Sequence, residues 1–266
     1  MLVTRVTPGG ASRRPDELVV EEPMTVQLDG EVVSTTMRTP GNDFELAAGW
    51  CFTEGLLAGV PVTGVRYCAS GSAMASEFNV VTVETGGKAP IPMPRLVATS
   101  SSCGWCGSEQ LDELAARLEP LPPAGDGPPI PLDVLGAIPD RVLDGQGLFA
   151  TTGAVHAAAA FTADGTVLLT REDVGRHNAV DKVIGRLLLD GQLPALGDRG
   201  GAAVEARGLF VSGRASVEMV QKAWAGGFRA LVAVSAPTSL AVQAARRANL
   251  TLAGFVRPDG FNVYAP

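Results

Sequence analysis

The sequence predicts a mixed α/β protein, an α+β N-terminal domain followed by an α/β domain with a largely parallel sheet. Three observations lead there. Two strand-like runs flank an Asp29-Gly30 turn near the start, a strong short-range hairpin signal. A Pro- and Gly-rich break follows at residues 120–129, where helix is excluded. Beyond it, short apolar runs alternate with helical stretches, the pattern of strand–helix–strand crossovers. The 266 residues are 46% hydrophobic and 18% charged, enough to bury a sizeable core.

In chain order, residues 1–16 carry no periodicity and read as a flexible tail. Residues 17–28 and 30–37 read as the two arms of the hairpin, and Thr39-Pro40-Gly41-Asn42-Asp43 ends them. Residues 44–57 have helical periodicity with Asn42 or Asp43 as cap, and strands resume at 64–68 and 77–84. The first domain, 17–119, closes with a Cys-rich loop and a helix in which Leu111, Leu114, Ala115 and Leu118 form one apolar stripe. Residues 120–131 form the linker, and 132–266 the second domain. It reads as a helix at 132–143, paired strands at 152–161 and 166–170 across an Asp164-Gly165 turn, and a helix at 178–189. Strand 208–212, helix 216–225, strand 230–234, helix 238–248 and strand 250–256 follow.

The net charge of −7 argues against nucleic acid as a partner. No run reaches the length of a membrane span, and the first residues lack a signal-peptide pattern, so a cytoplasmic protein with reduced thiols is expected. Of its four cysteines, Cys51 and Cys68 sit among apolar neighbours and read as packing residues.

Chemistry concentrates in Ser101-Ser102-Cys103-Gly104-Trp105-Cys106-Gly107, two thiols on glycine-hinged backbone directly before a helix. A helix N-terminus lowers a thiol pKa, although Glu109, Asp112 and Glu113 in the first turn oppose it. The pair reads as a sulfur nucleophile, a redox dithiol or half of a zinc site. Zinc would need ligands from Cys51, Cys68, His156 or His177, none at short spacing. A thioredoxin-like enzyme places its CxxC near the start of a βαβ unit, whereas this one follows Pro90-Ile91-Pro92-Met93-Pro94. Zinc deaminases need His-x-Glu, and His156-Ala157-Ala158 lacks the glutamate, which excludes that activity.

A second locus is expected at the carboxyl ends of the C-terminal strands, where Ser212-Gly213-Arg214-Ala215-Ser216, Ser235-Ala236-Pro237-Thr238-Ser239 and Arg257-Pro258-Asp259-Gly260 should share one edge. Helix starts and the forks of Arg214 and Arg257 suit phosphate; the plainer reading is helix caps and a surface charge. The charged run Arg171-Glu172-Asp173-Val174-Gly175-Arg176-His177-Asn178, with Asp181 and Lys182, is either a solvated helix start with local ion pairs or a place where His177 meets a phosphate or moves a proton.

Taken together, separated segments resemble one family, the formate dehydrogenase accessory sulfurtransferases, usually called FdhD. They are Asp43-Phe44-Glu45-Leu46-Ala47-Ala48-Gly49 with Glu54-Gly55, the CxxC loop, Thr152-Gly153-Ala154-Val155-His156, and the run from Glu172 to Lys182. Ser212-Gly213-Arg214, Ser235-Ala236-Pro237-Thr238 and Gly254-Phe255-Val256-Arg257 complete them. The resemblance implies a sulfur carrier that takes persulfide sulfur from a cysteine desulfurase. It implies delivery to the molybdenum (or tungsten) cofactor, bis-(molybdopterin guanine dinucleotide), before insertion into formate dehydrogenase. It also implies a homodimer and a cytidine-deaminase-like second domain, with no permanently bound metal. On this reading Cys103 takes the sulfur and Cys106 relays or releases it. Phe255, Val256, Arg257, Pro258, Asp259 and Gly260 form the cofactor-binding segment, with Arg214 and Ser235 as further contacts. A non-catalytic cofactor chaperone and a thiol-disulfide oxidoreductase are the competing expectations.

Overall fold

The computed structural model describes residues 1–68, 72–91, 107–121, 130–193 and 206–266. Where a loose tail is expected, the chain instead forms a hairpin of β1 (Leu2–Thr7) and β2 (Gly10–Pro15), paired antiparallel from Leu2↔Pro15 to Thr7↔Gly10. Its residues are almost all exposed, so hydrophobic periodicity has nothing to report there.

The Asp29-Gly30 turn joins β3 (Glu22–Leu28) to β4 (Glu31–Arg38), and both turn residues have positive φ, 49° and 97°. That is the left-handed geometry two-residue hairpins require. The Asp29 carboxylate also accepts from the Thr85 backbone N–H at 2.7 Å and from its hydroxyl, tying the turn to the next strand. With β5 (Gly64–Tyr67) and β6 (Val80–Glu84) these strands form a four-stranded sheet in the order β4-β3-β6-β5, in which β3 and β6 are parallel.

Helix α1 (Asp43–Thr53) begins near the expected place, but neither candidate caps it with its side chain. Asn42 is left-handed without a capping bond, and Asp43 instead receives Arg38 through Nε at 3.1 Å and Nη2 at 3.0 Å. α2 (Gly107–Arg117) buries Leu111 and Leu114, two members of its expected apolar stripe. α3 (Leu132–Leu143) matches its expected bounds. α4 (Gly147–Thr152) is unforeseen; its first N–H groups, of Leu148 and Phe149, are capped by the distant Glu172 carboxylate at 2.9 and 2.8 Å.

The remaining elements are β7 (His156–Phe161), β8 (Val167–Asp173), α5 (Arg176–Leu189), β9 (Gly208–Val211), α6 (Val217–Ala225), β10 (Ala230–Ala233), α7 (Ser239–Ala248), β11 (Thr251–Arg257) and β12 (Gly260–Ala265). Their sheet runs β12-β11-β10-β9-β7-β8. It is mixed, which corrects the expectation of a largely parallel sheet: only β9-β10-β11 are parallel, and the other three pairings are antiparallel. The reason is connectivity. Helices carry the chain across from β9 to β10 and from β10 to β11, whereas β7–β8 and β11–β12 are joined by tight turns that can only reverse it.

One hydrophobic cluster lies between the sheets and joins Met24, Val26, Val81 and Leu46 of the first half to Val183, Leu209, Val220 and Leu231 of the second. A second cluster packs α3 on the opposite face of the larger sheet, through Leu135, Ile138 and Val142 against Phe161, Phe210 and Val232. Within the first, α1 crosses α5 at a pair of glycines. A Cβ on Gly49 would lie 1.9 Å from the Asp181 carbonyl oxygen, and one on Gly185 would lie 1.8 Å from that of Glu45, so only glycine permits this approach.

Candidate functional site

Strand polarity brings five segments to one edge of the large sheet: the start of β7, the end of β8, and the loops after β9, β10 and β11. The three loops expected together do lie together. Ser235 donates its N–H to the Gly213 carbonyl at 3.3 Å and accepts from the Phe255 N–H at 3.2 Å, while Ala215 and Pro237 form a parallel bridge. Some of their side chains have the plainer role. Thr238 caps α7 by accepting from the Ala241 N–H at 3.2 Å, and Arg257 uses Nη1 to bind the Val234 and Val256 carbonyls at 2.7 and 2.8 Å.

The segment Phe255 to Gly260 ends β11 and turns into β12. The register shifts between Gly254 and Arg257, and Phe255 sits in the left-handed region at φ 55°, unusual for a bulky residue. That bulge turns the ring out of the ladder, leaving it 47% exposed, while Val256 is fully buried beneath. Pro258, Asp259 and Gly260 are exposed at the tip. An exposed aromatic face beside Arg257 can stack on a planar base, and the Arg214 side chain, exposed on the neighbouring loop, can meet an anion.

The charged run is not a solvated helix start. Asp173 is fully buried and accepts from the Thr39 and Gly175 N–H groups at 3.1 and 2.8 Å, from Asn178 Nδ2 at 2.9 Å and from Lys182 Nζ at 2.8 Å. Asp181 binds Lys222 Nζ at 2.9 Å, and Thr53 Oγ1 joins both. These interior pairs clamp α1, α5 and α6, because each charge removed from water needs such partners. Burial, aided by Lys222 and Arg176, pushes the His177 pKa down to about 4, so its imidazole is neutral at pH 7. His156 is also lowered, by burial and by Arg176, and its Nδ1 lies 3.4 Å from Ser212 Oγ. Sequence reasoning named Arg176 only as a member of the charged run, because an Arg opening a helix looks like an ordinary surface charge.

Cys103 and Cys106 lie outside the described residues. Cys106 directly precedes Gly107, the first residue of α2, and that helix is well anchored. Arg117 Nη2 donates to the Glu54 carbonyl at 2.7 Å, Arg247 pairs with Asp112 at 2.8 Å, and Trp224 Nε1 reaches the Glu119 carbonyl at 2.7 Å. The other two cysteines are buried, as expected for packing residues. Burial, with Asp181 and Glu54 nearby, pushes the Cys51 thiol far up, and Cys68 Sγ sits 3.0 Å from Ser76 Oγ. Both side chains are thus enclosed by the fold. Among the described residues no three of His, Cys, Asp and Glu gather as a metal site, and no helix is long and apolar enough to cross a membrane.

Comparison with known proteins agrees with this layout. The FdhD/NarQ family model matches residues 19–266. A sulfur carrier protein FdhD of Streptomyces coelicolor is 46% identical, covering 99% of this chain and 92% of its own. The protein of the same name from Mycolicibacterium paratuberculosis is 46% identical over 98% and 94%, and that of Mycobacterium tuberculosis 45% over 94% and 90%. Among solved structures, a formate dehydrogenase accessory protein from Desulfotalea psychrophila shares the fold, with a TM-score of 0.73 over 100% of this chain and 96% of that one at 23% identity.

Proposed function

The chain belongs to the FdhD/NarQ family, and from that premise we propose that it is a sulfur carrier in formate dehydrogenase maturation. The observation that carries the reading is the Cys103-Gly104-Trp105-Cys106 pair placed immediately before an anchored helix, while Cys51 and Cys68 are buried. In the proposed cycle the Cys103 thiolate attacks the terminal sulfur of a cysteine desulfurase persulfide. The new S–S bond forms as the donor's S–S bond breaks, and the desulfurase cysteine leaves as thiolate. With the acceptor in place the persulfide gives up its outer sulfur. In relay, the Cys106 thiolate takes that sulfur as its own persulfide and Cys103 leaves as thiolate. In release, a thiolate attacks the inner sulfur, the outer one leaving as hydrosulfide for the cofactor while the two cysteines join as a disulfide that a cellular dithiol reduces.

The acceptor, bis-(molybdopterin guanine dinucleotide), enters as substrate. In this reading Phe255 offers a stacking face for guanine, and Arg257 and Arg214 meet phosphate oxygens. The segment Phe255, Val256, Arg257, Pro258, Asp259, Gly260 borders the acceptor, with Ser235 behind it. A homodimer, a cytoplasmic setting and a cytidine-deaminase-like second domain complete the proposal. Its test is genetic. In a strain whose formate dehydrogenase depends on this protein, Cys103→Ala combined with Cys106→Ala should abolish the activity while the purified variant keeps its fold. Full activity would instead make the protein a holder or escort of the cofactor.

A further inference from the structure

Neither the thiols nor the sheet edge accounts for the Glu54-Gly55 pair, which closes α1. The Gly55 N–H donates to the Phe52 carbonyl at 2.9 Å and the Leu56 N–H to that of Cys51 at 3.0 Å, with Gly55 left-handed at φ 74°. A glycine-terminated helix end of this kind satisfies two of the last carbonyls and leaves that of Glu54 to an outside donor. Arg117, in the last turn of α2, is that donor, through Nη2 at 2.7 Å. Its positive charge also meets the negative end of the α1 dipole. The contact is fitted to glycine. A Cβ on Gly55 would lie 2.3 Å from Arg117 Nη2 and 3.2 Å from Cζ, so alanine there would push the guanidinium off its carbonyl.

The other ties of α2 and the residues after it run to the second half of the chain, through Arg247 to Asp112 and Trp224 to the Glu119 carbonyl. Among the described residues, Arg117 makes the one hydrogen bond from α2 to the first half. Packing is incomplete on that side, where a cavity of about 300 Å³ opens beside Arg117 and Gly55, lined also by Phe52, Leu57, Leu118 and Ala225. The helix end that receives Arg117 is itself fixed to the interior, because the Glu54 carboxylate lies 3.5 Å from Lys222 Nζ, the partner of Asp181. Cys106 immediately precedes α2, and about 15 Å of helix separates Gly107 from Arg117, so a small tilt at one end displaces the other. We propose that Arg117 is a positioning residue for sulfur transfer: held by the Glu54-Gly55 helix end, it sets the direction in which α2 presents the thiol pair to the sulfur donor. The inference deepens the sulfur-carrier reading and rests on it. Arg117 acts through the helix and not on the reacting atoms.

Single-turnover transfer tests it. A cysteine desulfurase carrying its persulfide is mixed with the full chain in excess at several concentrations, and intact-mass analysis follows the added sulfur. Arg117→Ala should lower the saturating rate constant about tenfold, with the half-saturating concentration and the final fraction loaded unchanged, since orientation is lost but not docking or folding. A merely structural role would lower the fraction loaded at an unchanged rate, and that result overturns the proposal. Arg117→Lys keeps a charged donor and should stay within about threefold of wild type. Gly55→Ala should match Arg117→Ala and slow it no further when the two are combined. Gly59→Ala controls for backbone cost: it is also left-handed, at φ 80°, but a Cβ there meets nothing within 4 Å, so its rate should equal that of wild type. A wild-type rate in Arg117→Ala, or equal slowing by the two glycine variants, overturns the proposal. Arg117 is exposed, so its loss should spare the core; should Arg117→Ala fail to fold, the comparison of Gly55→Ala with Gly59→Ala decides. These outcomes leave the sulfur-carrier reading standing, whereas a wild-type chain that takes up no sulfur overturns that reading and this role together.

Discussion

His177, the second residue of α5, was singled out in the sequence for its chemistry, and the structure explains its state. A group whose folded pKa is near 4 and unfolded pKa near 6.5 binds fewer protons when folded throughout that window. Its contribution to stability is therefore fully present above pH 6.5 and is lost as pH falls towards 4. Burial raises Asp181 to about 6, which acts in the opposite direction over nearly the same range, so the total profile conceals both. The difference between wild type and His177→Gln isolates the histidine. In denaturant titrations the wild type should lose more stability than the variant between pH 7 and pH 4; parallel loss would contradict the buried neutral assignment. Legibility at this scale was uneven. His177 is conspicuous as one of two histidines, whereas the burial of Arg176 Nε without a hydrogen bond depends on neighbours contributed from β7 and the β9 loop, and no local pattern encodes it.

Elements were legible where one face is buried. The hairpin at Asp29-Gly30, helix α3 and the succession from β9 to β11 follow from turn residues and periodicity. The two-residue hairpin tips conceal β12, because Pro258 and Asp259 read as the end of the sheet rather than a reversal within it. The glycine crossing of α1 and α5 was equally hidden, since a helical glycine signals weakness in sequence and close approach only in three dimensions. Gly49→Ala would drive a methyl group into the Asp181 carbonyl, and backbone cannot yield as a side-chain tip can. Its expected cost is about 2–4 kcal/mol, read from the urea midpoint, against a few tenths of stabilisation at an open helical site. A midpoint at or above that of the wild type would mean the helices are further apart.

Across the whole molecule, two sheets enclose a shared helical layer, and the C-terminal half of α2 and the binding loops meet different ends of it. Residues 112–121 rest on the C-terminal ends of α6 and α7, through Trp224, Arg247 and Ala248, whereas the binding loops open the N-terminal ends of those helices. Ten residues of α7 set these ends about 15 Å apart. Leu114→Ala, a buried truncation on α2, should lower stability by about 2–3 kcal/mol and slow sulfur loading, yet leave affinity for the acceptor's guanine nucleotide end unchanged in titration with guanosine diphosphate. Coupled loss of both would show that α2 and the edge act as one unit. The gathering of the loops on one edge was legible, because strand followed by loop followed by helix fixes which end the loops occupy. The mixed character of the sheet was not, since the order in which strands lie side by side is decided by long-range packing.

The central claim is that sulfur travels on the CxxC thiols, and mass spectrometry of the intact chain after incubation with a cysteine desulfurase and cysteine tests it most directly. The account predicts one added sulfur atom, located by peptide mapping to Cys103 or Cys106, removed by dithiothreitol and absent when both are alanine. A bare Cys103–Cys106 disulfide with no added sulfur would contradict it.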